Sequence, residues 1–127
     1  MTPVTERPLS MENDLPAVVS VEASRVRYDP PRQFYVGAQP VQVSDAVELL
    51  IRTTAALPVR AISPVLFIGD TVIADYEVAG ANLYRFFVFN LERALPGSPI
   101  SIGWPFAPRT ARLTDFRFQI PGNLPIA

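Results

Sequence analysis

The sequence contains no cysteine, no histidine and no lysine; its eleven basic residues are all arginine. These absences remove a large part of the catalytic repertoire. No thiolate or imidazole is present to act as nucleophile or general base, and no amine side chain is present to form a Schiff base. Zinc and iron sites draw on His or Cys in most designs, so neither is expected, and no cofactor is predicted. Without Cys there are no disulfides, which leaves the compartment open. Glycine is sparse as well, with six residues. No phosphate-cradling glycine loop of standard spacing occurs. Runs of apolar residues are short, the longest being of the type Val65-Leu66-Phe67-Ile68, so no membrane span is expected.

Charge of one sign is also lacking. Eleven basic against twelve acidic groups give a formal net charge of −1. Capture of nucleic acid, which needs a basic face, is therefore not expected. What remains for chemistry is carboxylates, hydroxyls and guanidinium groups. That set weighs against an enzyme.

Proline, by contrast, is abundant: fourteen residues, spread along the chain. Frequent Pro opposes helix interiors and central strand positions and suits short strands between stiff turns. The length, 127 residues, fits one domain that buries roughly two thirds of its unfolded surface. We expect a flexible N-terminal tail over 1–16, one domain over 17–120 and a C-terminal tail over 121–127. The first segment lacks the basic start and apolar stretch of a secretory signal.

Within the domain the dominant period is two. Val19, Val21 and Ala23 alternate with Ser20, Glu22 and Ser24, and the parity then breaks, which predicts a bulge or a switch between sheets near Ala23–Arg25. Gln33–Val36 reads as a short strand. Residues 41–53 read as two strands or one bent strand, since Asp45 interrupts an apolar face. Val59–Ile68 is next, with Pro64 demanding an edge or a bulge. Gly69-Asp70 marks a tight hairpin, and residues 72–78 follow as one strand. Leu83–Leu91 is the most apolar strand. Its two faces, Leu83/Arg85/Phe87/Phe89 and Tyr84/Phe86/Val88, are both greasy. It is therefore central and covered twice, or one face is an interface. Residues 91–95 suit one helical turn, Ile100–Trp104 is a strand with Trp104 in the core, and 113–120 is the last strand. About seven or eight strands at this spacing predict an all-β sandwich, with a jelly roll as the alternative.

The stretch Leu95-Pro96-Gly97-Ser98-Pro99-Ile100-Ser101-Ile102-Gly103-Trp104 resembles the corner and strand before the last hairpin of immunoglobulin-like domains, with a leucine packed under the turn. The Cys pair and tyrosine corner of antibody domains are absent. From Phe67 to Trp104, with Gly69 at a hairpin and then Ala81-Asn82-Leu83-Tyr84-Arg85-Phe86, the chain is similar to the Z subunit of the thiosulfate-oxidation carrier pair. That resemblance implies an immunoglobulin-like sandwich acting as a non-catalytic partner of a cysteine-bearing carrier.

Candidate contact residues are Phe34, Tyr35 and Phe106, beside Pro-rich loops, and Tyr84, Arg85 and Phe86 on the greasy strand. Rigidly held aromatics suit a binding edge. Arg85, on an apolar face, needs a partner if buried, and an acidic group across a subunit interface is one candidate. Asp75 and Glu77 would share one strand face about 7 Å apart, either as a solvated surface or as a pair suited to hydrolysis or Ca²⁺ binding. The expected function is a non-catalytic protein–protein contact module, acting with a protein partner or as a homo-oligomer. The alternatives are a small-ligand binder with an aromatic and Arg cleft, and a carboxylate-dependent hydrolase.

Overall fold

The computed structural model describes residues 15–58 and 62–121. Eight strands run in the order β1 (Val18–Val36), β2 (Gln39–Thr53), β3 (Val65–Ile68), β4 (Thr71–Ile73), β5 (Tyr76–Gly80), β6 (Leu83–Val88), β7 (Pro99–Gly103) and β8 (Arg112–Arg117). They form two four-stranded antiparallel sheets, β1-β2-β6-β5 and β4-β3-β7-β8. The protein is an all-β sandwich. Among the described residues the helical content is a single 3-10 turn at Pro108–Thr110, and no helix is long and apolar enough to cross a membrane.

The main core lies between the sheets. Val47, Leu49 and Ile51 of β2 and Tyr84, Phe86 and Val88 of β6 meet Leu66, Ile68, Ile73, Ile100 and Ile102 of the other sheet. Alternation places these residues inward while Glu48, Leu50 and Arg85 point outward. Leu15 is buried in this core, so packing begins inside the expected 1–16 tail; residues 1–14 and 122–127 lie outside the described residues. Pro64 precedes β3, which starts only at Val65, so no strand hydrogen bond is lost to it. The Gly69-Asp70 hairpin forms as expected, with Gly69 at φ +60°, and 91–94 makes one turn closed by Ala94 N–H to Asn90 C=O.

Three expectations are corrected. The bulge is not at Ala23–Arg25, where pairing to β2 is continuous, but between Arg27 and Arg32, where five steps along β1 match two along β2. Asp29-Pro30-Pro31 lies there, and its two prolines have no N–H to give the ladder. Residues 72–78 are not one strand: β4 ends at Ile73, and Ala74-Asp75 carry the chain to the other sheet. Leu95 does not pack under its turn but is largely exposed, and Ala94 is buried in its place.

The bulge has a structural consequence. Beyond it, residues 32–43 project as an arm paired only within the β1–β2 hairpin. On β2 the apolar parity changes at Asp45, so Val41 and Val43 pack on the same side as Ala46. The arm thereby lays Phe34 and Val43 over Phe87 on the outward face of β6.

Candidate interaction surface

β6 is covered on both faces by its own chain. Phe34 stacks on Phe89, with ring centroids 4.6 Å apart, and meets Phe87 at 5.4 Å. The greasy outward face of 83–91 is therefore not an open interface, which corrects that option. The Arg32 guanidinium lies over this cluster, 4.4 Å from the Phe87 centroid and 5.2 Å from that of Phe34, within cation–π range.

An ionic network borders the cluster. Arg85 donates to Glu77 at 2.6 Å and lies 3.5 Å from Glu48, and Arg32 is 3.7 Å from Glu77. The Tyr28 hydroxyl donates to Glu48 at 2.8 Å. Burial, and then that hydrogen bond to a carboxylate, hold the Tyr28 phenol above its ordinary pKa. Arg85 thus finds its acidic partners within its own chain, contrary to the cross-subunit expectation. Arg25 pairs with Asp45 at 2.8 Å, and the guanidinium lowers the Asp45 carboxyl from its usual range.

The six candidate residues separate into two groups. Phe34, Tyr84 and Phe86 are buried. Phe86 stacks on Tyr76 in the main core, and the Tyr84 hydroxyl accepts a hydrogen bond from the Leu57 N–H at 2.8 Å. These three are core residues rather than contact residues, because strand alternation points 84 and 86 inward and the arm buries 34. Arg85 is half-buried in its network. Tyr35 (54 % exposed) and Phe106 (67 % exposed) are on the surface. Phe106 stacks on Trp104, which sits at the margin of the main core rather than inside it.

Tyr35 belongs to a larger feature. With Val36, Val72, Asp75, Phe87 and Phe89 it lines a cleft of about 200 Å³ between the arm and β4. Val36 is 58 % and Val72 49 % exposed. Val72 also lines a second cleft of about 360 Å³, with Phe67, Asp70, Ser101, Pro105 and Pro108. The two clefts thus flank β4. Val36, Val72 and Asp75 escaped sequence reasoning. A strand drawn through 72–78 puts Val72 with Ala74 and Tyr76 on one apolar face, whereas the break at Ala74-Asp75 exposes Val72 and turns Ile73 into the core.

Asp75 and Glu77 do not form a pair facing one site. Glu77 is engaged by Arg85 and Arg32, whereas Asp75 precedes β5 and lines the first cleft. Burial raises the Asp75 carboxyl above the usual aspartate range. Among the described residues no group of His, Cys, Asp and Glu is placed to hold a metal ion. Comparison with family models, with curated proteins and with solved structures finds no match.

Proposed function

We propose that this protein is a non-catalytic interaction module, a β-sandwich that works through protein–protein contact as an accessory or assembly subunit. One observation carries the reading. Exposed Tyr35, Val36 and Val72, from different sheets, border one cleft floored by Phe87 and Phe89. Aromatic and aliphatic side chains grouped at a rigid concave edge are what binding hot spots use. The strand orders support an immunoglobulin-like identity. They correspond to the ABED sheet of constant-type domains facing CFG with one added edge strand. A partner chain of the thiosulfate-oxidation Z type is one form of this reading.

A photocrosslinking amino acid in place of Tyr35 or of Val72 tests it, with exposed Glu22 on the other half of β1 as control. Crosslinks from the first two positions and none from the third are expected in the cells that make the protein. Uniform crosslinking, or none at any position, removes the reading.

A small-ligand site is the second reading, favoured by the outer cleft. Its volume of about 360 Å³ falls within the range of small-molecule pockets, whereas the inner cleft is below it. Saturation-transfer NMR with a fragment set, read at Phe67 and Pro108, separates the two readings.

A further inference from the structure

We infer that the free edge of β4 docks an extended segment of a protein partner, with a basic side chain of that segment seated beside Asp75. The inference rests on the contact-module reading and gives the partner a chemistry.

β4 pairs only with β3. In the register Ile68↔Thr71, Phe67↔Val72 and Leu66↔Ile73, Ile68 and Thr71 close a two-residue hairpin. Antiparallel ladders alternate hydrogen-bonded and non-hydrogen-bonded pairs, and the pair closing such a hairpin is hydrogen-bonded. Val72, one step along, therefore turns its N–H and C=O away from β3. No strand but β3 pairs with β4, and no described turn or loop backbone group bonds to Val72. An added strand placed there gains main-chain hydrogen bonds, and its successive side chains point to opposite faces.

Both faces have a receptacle. The inner cleft lies beside Thr71 and Ile73, and the outer cleft lies beside Val72 and Phe67. Each contains one carboxylate, Asp75 inside and Asp70 outside. No described residue donates a hydrogen bond or an ion pair to the Asp75 carboxylate. Tyr35, Phe87 and Phe89 line the same cleft, Tyr35 at its exposed margin and Phe87 beneath it, already covered by Phe34 and Arg32. A carboxylate without a side-chain partner, in an apolar cleft bordered by the exposed Tyr35 ring, suits a guanidinium or ammonium on an apolar stem. The inner cleft is sized for one such side chain rather than for a free drug-sized ligand.

The test uses the full chain labelled with ¹⁵N and two blocked synthetic peptides, Val-Arg-Val-Arg-Val and its glutamate counterpart. The arginine peptide is expected to shift the amides of residues 71–75 and of Tyr35 and Val36, and the glutamate peptide to leave them in place. Asp75→Asn is expected to weaken the arginine peptide about threefold, and Asp75→Glu to retain most of the affinity. A thermal melt of each variant checks folding, which no Asp75 side-chain contact supports. Equal binding by both peptides, shifts elsewhere, or an unaffected Asn variant overturns the inference. So do concentration-dependent shifts at the same amides without peptide, which would make the occupant a second copy. Crosslinking from Tyr35 with no response to either peptide leaves the contact-module reading standing and removes this one; the absence of both removes both.

Discussion

Arg85 Nη1 lies 2.6 Å from Glu77 Oε2 across the register pair that joins β6 to β5. An arginine on an apolar strand is thus satisfied inside one sheet, by its direct cross-strand neighbour and by Glu48 beyond.

Arg85→Ala is therefore expected to leave any association of the protein unchanged. The Arg85 and Glu77 side chains are each more than a third exposed, so solvent screens their interaction; Glu48 is less exposed. A double-mutant cycle with Glu77→Ala should give a coupling of about 0.2–1 kcal/mol in urea unfolding. Loss of a crosslinked complex in Arg85→Ala would restore the interface role instead.

Tyr84→Phe removes one hydroxyl from the middle of the core. The Leu57 N–H then loses its acceptor in a buried site. We expect a loss of about 1–3 kcal/mol, the cost of an unsatisfied buried donor. Tyr76→Phe is the control, because the Tyr76 hydroxyl makes no hydrogen bond to a described residue. Equal melting shifts for the two variants would show that the Leu57 bond contributes nothing.

Phe34 and Tyr35 are neighbours with opposite roles. Phe34→Ala uncovers Phe87 and Phe89 and should cost about 3–5 kcal/mol with increased binding of an apolar dye. Tyr35→Ala, at an exposed position, should change stability by no more than about 0.5 kcal/mol while abolishing contact. Similar stability losses for both would mean that the arm does not discriminate its faces.

The same pair shows how far the sequence could be read. Period-two alternation marks the strands, the Gly69-Asp70 turn and the inward set of β6, because burial on one face enforces parity locally. It was silent on the arm. Whether Phe34 or Tyr35 is buried depends on the bulge at Asp29–Pro31 and on Val43 arriving from β2, both of which are long-range facts of pairing. For the same reason the sequence leaves open whether the second greasy face of β6 is covered or is an interface; the structure covers it. Its cover comes from residues more than forty positions away, counting from Phe34 to Phe87. The cleft was illegible because it exists only where β4 stops after three residues and the chain crosses between sheets.

Asp75 gives the remaining prediction, and its sign follows from burial. Desolvation raises the folded-state pKa of this carboxyl above its ordinary value, so ionisation disfavours the native state. The native protein then holds a proton that the unfolded chain has released, and stability falls as pH rises through the interval between the two values. Above that interval the penalty is constant. Asp75→Asn should therefore be more stable than the parent at pH 7. The difference should shrink as pH is lowered through the raised pKa and vanish below the ordinary aspartate range. Parallel urea titrations from pH 3 to pH 7 measure this. A constant difference across that range would assign the effect to packing rather than charge. A parent more stable at pH 7 would mean that the carboxylate is paired in solution, against its isolation in the cleft. The same substitution is expected to weaken the basic peptide. Gain of stability with loss of binding would identify Asp75 as a charge kept at a cost for contact, a combination that neither a surface residue nor a core residue produces.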